Sequence, residues 1–183
     1  MIITQTDADL YRYAGRSDFK AFIKFWKHPG FRFIYCFRNY KSASRYSIKW
    51  FLFKFLYRRY FIKYGIQIPI GVEIGDGLML PHFGGIVINS KSKIGKNCNI
   101  LQNVTIGNTK RGKLRGTPKI GNKVYIGPSV TIVGGITIGD NVLIAGNAFV
   151  NFDVPANSIV IGNPGKIIPK EDATEGYIEN IML

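Results

Sequence analysis

Residues 120–150 read IGNKVY-IGPSVT-IVGGIT-IGDNVL-IAGNAF-V, with an isoleucine or valine at every sixth position. The same step continues upstream through Ile68, Ile74 and Leu80, then through Ile88, Ile94, Ile100 and Ile106. Four residues after most of these stands a small or β-branched residue: Val72, Cys98, Val104, Val124, Val130, Val142, Ala148, Val154. A unit of six residues with one buried aliphatic cannot enclose a core alone, so such units must stack. Three units make one triangular turn of a parallel β-helix. Each aliphatic then points inward above its counterpart one turn earlier, with turns about 4.8 Å apart. Amphipathic helices repeat every 3.6 residues and half-buried strands every two, and neither produces this spacing. Glycine follows the aliphatic at Gly75, Gly95, Gly107, Gly121, Gly127 and Gly139, where it suits a sharp bend or a close approach between turns.

The rhythm breaks twice. Leu80 to Ile88 is two residues too long and surrounds His82, in PHFGGI (residues 81–86). Ile106 to Ile120 is eight too long and holds the basic run NTKRGKLRGT (108–117). Solenoids tolerate insertions as loops, often on a binding face, so these two places are where function is expected.

The Ile-Gly hexads, PHFGGIVI (81–88), NVTIG (103–107) and IGNPGK (161–166) together resemble the hexapeptide-repeat acyltransferases, nearest to their serine O-acetyltransferase-like group. The resemblance is close over 64–168 and looser before it. It implies a mainly β protein: a left-handed parallel β-helix of hexapeptide repeats, preceded by an α-helical N-terminal region. It also implies a homotrimer, acetyl-CoA as donor, and active sites shared between neighbouring subunits. The expected organisation is a helical region 1–63, a β-helix 64–168 with an extruded loop 107–119, and a C-terminal tail 169–183.

The chain of 183 residues carries a formal charge of +14, unevenly spread. Residues 1–63 hold 14 basic against 3 acidic side chains, and no acid occurs between Asp18 and Glu73. Helices are predicted at Phe19–Lys27, Phe31–Tyr40 and Tyr46–Lys63, with a break at His28-Pro29-Gly30. The last carries one apolar stripe at Ile48, Phe51, Leu52, Phe55 and Ile62, and another at Trp50, Phe53, Tyr57 and Tyr60. A helix apolar on two faces needs partners on both sides. The stretch 19–63 therefore packs against the prism and neighbouring subunits, or lies on anionic lipid, or both. No nucleic-acid motif accompanies the charge, so nucleic acid is not an expected partner. No signal-peptide run or apolar stretch of about 20 residues is present, which makes the cytoplasm, or the inner face of its membrane, the expected compartment. Cys36 and Cys98 are too few for a disulfide framework, and Cys98 fills an inward slot of the repeat.

Acetyl transfer from a thioester to a hydroxyl needs a base for the alcohol proton and a slot for the pantetheine arm. Only two histidines are available. His28, before Pro-Gly, reads as a turn or surface residue. His82, at the repeat interruption, matches the family's active-site histidine. Imidazole is largely neutral at cellular pH, and a general base commonly contributes about 10² to 10⁴ in rate. The family's orienting aspartate corresponds to Gln67, whose carbonyl can accept from the ring; Glu73 or a backbone carbonyl are other candidates. The basic loop (Lys110, Arg111, Lys113, Arg115) and Lys166 suit CoA phosphates. Small residues and free amides at Gly107, Ser129, Ala145 and Gly146 suit pantetheine, and the Gly84 and Gly85 amides offer an oxyanion hole. No metal is expected: a γ-class carbonic anhydrase needs three zinc-bound histidines, and no other ligand cluster appears.

The acceptor was read from departures. Serine-specific relatives carry an acid where this chain has Pro81, and an Arg-His pair where it has Gly116-Thr117. An amino acid needs countercharges for its ammonium and carboxylate. Their absence points to a neutral polyol, so the expectation is O-acetylation of a sugar in capsule, O-antigen or exopolysaccharide synthesis. The alternatives are serine O-acetylation feeding cysteine synthesis, and a non-catalytic β-helix scaffold.

Overall fold

A computed structural model describes residues 4–181. Four helices, α1 (Gln5–Ala14), α2 (Phe19–Phe25), α3 (Pro29–Ser42) and α4 (Ile48–Lys63), precede a three-sided prism of short strands. One face stacks β1 (Ile66–Gln67), β3 (Ile86–Ile88), β6 (Thr105–Gly107), β9 (Thr131–Val133) and β12 (Phe149–Val150). A second stacks β2 (Glu73–Ile74), β4 (Lys93–Ile94), β7 (Lys119–Ile120) and β10 (Thr137–Ile138). The third stacks β5 (Asn99–Ile100), β8 (Val124–Ile126), β11 (Val142–Ile144) and β13 (Ser158–Ile161), closed by the antiparallel β14 (Lys166–Pro169). All other pairings in these faces are parallel, and the architecture is the left-handed β-helix of the hexapeptide repeats.

Register follows the insertions. Ile126 pairs with Ile144 and Ile132 with Val150, one undisturbed turn apart. Across the first insertion Ile74 meets Ile94, and across the second Ile94 meets Ile120. Both extra lengths leave the prism as loops and the aliphatic column stays aligned. Every aliphatic of the six-residue series is buried, as are the small residues four positions on.

The bends are made differently from the sequence reading. Most of the aliphatics, from Ile74 to Val150, end a short strand, whereas Ile106 and Ile132 stand in the middle of one. The left-handed backbone falls one residue before the small position, at Asn97, Asn103, Lys123, Ser129, Asn141 and Asn147. Asparagine tolerates that conformation because its short polar side chain bonds locally. Glycine after the aliphatic serves close approach instead: a Cβ on Gly95 would lie 2.5 Å from the Gly121 carbonyl oxygen. One on Gly139 would lie 2.4 Å from the Ala156 nitrogen.

The helix α1 was not anticipated. Thr4 caps it in a reciprocal box with Asp7, and Gly15 ends it in the left-handed conformation. The break before α3 is shorter than expected, because Pro29 and Gly30 belong to the helix; proline at its start lacks only an amide that would be unpaired anyway. Asp9 and Arg38 form a buried ion pair at 2.9 Å. Arg38 also donates to the Ile74 and Gly75 carbonyls, and Asp9 accepts from the Leu78 amide. The first coil of the prism thus has α1 and α3 bolted to its open end.

Beyond β14 the chain runs down the third face as a strap. Asn141 donates to the Glu171 carbonyl and accepts from the Thr174 hydroxyl. Tyr177 packs edge-on to Tyr125 at 4.8 Å, and Asn99 donates to the Tyr177 carbonyl. At the bottom, buried Arg12 donates to the Glu179 and Gly77 carbonyls and to Asn99 Oδ1.

Candidate active site

The segment Leu80–Gly85 turns the chain from the third face to the first, and the helices hold it from below. The Tyr13 hydroxyl accepts from the Leu80 amide (2.9 Å) and lies 3.2 Å from its carbonyl. Gly30 lies so close that a Cβ would sit 2.1 Å from the Leu80 oxygen. Phe83 packs on Tyr64 at 5.7 Å. Gly84 and Gly85 both have positive φ, and a Cβ at Gly85 would strike the Asn103 amide. His82 is left exposed on this anchored turn.

His28, expected from sequence to be a turn or surface residue, caps the start of α3 and is half-buried. Its ring meets Tyr13 at 5.0 Å, and it bonds to the Pro81 backbone. Burial lowers its pKa and the adjacent His82 lowers it further, while the Pro81 contact opposes both. Its Nδ1 is buried and, among the described residues, has no hydrogen-bond partner. The two histidines, 54 positions apart in the chain, are neighbours.

A cleft of about 400 Å³ opens beside His82. Its walls are Arg12 and Tyr13 of α1, Tyr125 of the third face, and Tyr177 and Glu179 of the strap. None of these was singled out from sequence; a glutamate nearly a hundred residues from the histidine gives no local signal.

The structure sorts the other predicted residues into two columns. Ser129, Ala145 and Gly146 lie in the bends stacked above His82, between the third and first faces. Gly107, Lys110 and Arg111 lie at the opposite edge of the first face, where the inserted loop leaves β6. That loop is a small hairpin closed by reciprocal Thr109–Gly116 backbone bonds, and its Leu114 carbonyl accepts from Gly135. Lys166 begins β14 and is exposed. Two of the amides thought free are engaged between coils: Ser129 donates to Gln102, and Ala145 to Val160. Gln67 is exposed on β1, and among the described residues no hydrogen bond joins it to His82. Glu73 is paired with Lys93 at 2.9 Å on the second face, which removes it as an orienting carboxylate. Cys36 and Cys98 are both buried, and burial pushes each thiol up to about 12, so neither is a nucleophile. Among the described residues no His, Cys, Asp and Glu cluster could hold a metal.

Residues 117–151 match the family model described as bacterial transferase hexapeptide (six repeats). The chain is 33% identical over 144 residues to a serine acetyltransferase of Helicobacter pylori, covering 79% of this chain and 84% of that one. It is 38% identical over 131 residues to serine acetyltransferase 2 of Arabidopsis thaliana, but spans only 40% of that relative's length. Among solved structures, Neisseria gonorrhoeae serine acetyltransferase in complex with serine matches with a TM-score of 0.71 at 32% identity, over 90% of this chain and 67% of that one. The soybean serine acetyltransferase apoenzyme gives 0.73 at 31%, with the same coverage.

These relatives overturn the expected sugar acceptor and its place in polysaccharide synthesis. That expectation rested on charges missing at Pro81 and at Gly116-Thr117. In the folded chain the strap brings Glu179 to the lining of the cleft that holds His82. The chain belongs to the hexapeptide-repeat acyltransferases, and the relatives that place it there are serine acetyltransferases.

Proposed function

We propose that the protein transfers the acetyl group of acetyl-CoA to the hydroxyl of L-serine. The observation that carries this reading is His82, held on an anchored turn beside a cleft that Glu179 helps to line, in a chain whose relatives are serine acetyltransferases. In the proposed step neutral His82 takes the hydroxyl proton as the serine oxygen attacks the thioester carbonyl carbon. The tetrahedral intermediate collapses with cleavage of the carbon–sulfur bond, and His82 returns the proton to the CoA thiolate. Products are O-acetylserine and CoA, with no acyl-enzyme.

Glu179 supplies the charge for the serine ammonium, a role that Pro81 cannot fill. Gln67 remains the proposed orienting acceptor for the His82 ring. On the donor side, Ser129, Ala145, Gly146 and Lys166 serve one wall of the CoA groove. Gly107, Lys110 and Arg111 serve the other, contributed by a neighbouring copy in a homotrimer. The separation of the two columns at opposite edges of one face supports this sharing. The Gly84 and Gly85 amides, both on left-handed backbone, are proposed donors to the carbonyl oxygen.

The test is release of CoA thiol from acetyl-CoA with L-serine as sole acceptor. Wild type should turn over, and His82→Ala should lose about 10² to 10⁴ in kcat/KM. No serine-dependent release from folded wild type would reject the acceptor. Unchanged rates in His82→Ala would reject the base.

A further inference from the structure

The helix α4 has two faces with different fates. Tyr57 is buried, Phe53 meets Tyr35 at 5.9 Å, and Tyr57 meets Phe33 at 5.7 Å, so this side packs on α3. The other side faces solvent: Ile48 is 90% exposed, Ile62 80%, Phe55 65% and Phe51 56%. Arg58, Arg59 and Lys63 interleave with these residues and are exposed too. With Leu52, five large apolar side chains of one helix are left in water and need a cover. Alongside, α2 exposes Phe19 and Ile23 with Lys20 and Lys24, and it flanks the same Tyr35 ring through Phe22 at 5.2 Å.

Charge selects what covers this face. Residues 19–72 contain no acid, and among the described residues no ion pair involves a cation of α2 or α4. A second copy docked through the same face would bring Arg58, Arg59 and Lys63 against their own kind with nothing to neutralise them. An anionic lipid surface offers both what the face lacks, an apolar layer for the rings and phosphate countercharge for the cations. No described helix is long and apolar enough to cross a membrane, so the contact is a lateral one.

We propose that the outer face of α4, with α2 beside it, binds an anionic membrane surface with the helix axis parallel to the plane. This is independent of the acceptor chemistry. The test is flotation of the full chain with vesicles of phosphatidylcholine alone or with one third phosphatidylglycerol. Comigration is expected only with the anionic vesicles, and high salt should abolish it. Arg58→Gln/Arg59→Gln/Lys63→Gln should weaken binding about 100-fold. Phe55→Ser/Ile62→Ser should weaken it more than about tenfold. Both variants alter exposed side chains, so unchanged thermal melting and light-scattering mass should accompany the loss. Absence of comigration overturns the proposal, as does equal binding to neutral vesicles or binding indifferent to the triple substitution. Variants that lower the mass without any vesicle binding would make a second copy the occupant of this face.

Discussion

The coils of residues 120–150 and the turn at 80–85 are built from the same chain on opposite principles. In the coils each residue repeats a neighbour above and below: Ile126 lies between Ile100 and Ile144, and Thr131 between Thr105 and Phe149. The support is many equivalent contacts, none of which matters much alone. The turn has no equivalent. Tyr13, His28, Gly30 and Tyr64 all touch it, and each comes from outside the repeat. Repetition provides rigidity, whereas the unique contacts fix where one imidazole stands.

If that contrast is real, substitutions at the unique clamp should cost far more than those in the coils. Asp9→Ala leaves Arg38 buried without its partner, and should lower unfolding free energy by about 3–5 kcal/mol in denaturant titration. A loss below about 1 kcal/mol would mean that the helices do not hold the first coil. Gly30→Ala forces a methyl into the Leu80 carbonyl, and should cost about 1–3 kcal/mol. Its sharper signature is a fall in kcat with the β-helix circular dichroism preserved. Ile132→Val, deep in the coils, should cost only about 0.5–1.5 kcal/mol and leave kcat alone.

The smallest effect is in pH. Burial lowers the His28 pKa below its ordinary 6.5, so its contribution to stability is complete above that value. As pH falls below it, the unfolded chain takes up the proton first and stability declines until the folded-state value is passed. His28→Gln should flatten this slope below pH 6.5. An unchanged slope would assign the loss to other groups. Glu179→Gln sharpens the comparison from the substrate side. Raised KM for L-serine, by about tenfold, with kcat held would fit loss of a countercharge to the ammonium.

How much of this was legible depends on the distance over which a signal acts. The prism could be read because each hexad repeats one local demand, a buried aliphatic followed by a bend. His82 could be read because it interrupts that demand. The helix α1 was missed although its capping pair, Thr4 and Asp7, stands in plain sequence, because its apolar residues are few and its buried ones include Asp9 and Arg12. The nearness of His28 to His82, and the place of Glu179 in the cleft beside His82, are set by packing between segments far apart in the chain. The acceptor was misjudged because charges were sought only at positions 81 and 116–117, where the relatives carry theirs. Of the two uses read for glycine after the aliphatic, bend or close approach, the second holds, and the left-handed bend falls two residues further on.

The strap has a further consequence. It walls the cleft with residues that belong to no hexad, and it is fastened by a few polar bonds at Asn141, Asn99 and Arg12. Acceptor choice is therefore separable from architecture. Exchanging residues 175–180 for another short sequence would remodel the pocket while every coil stays as it is. In a scaffold this repetitive, diversification is cheapest at the one element that does not repeat.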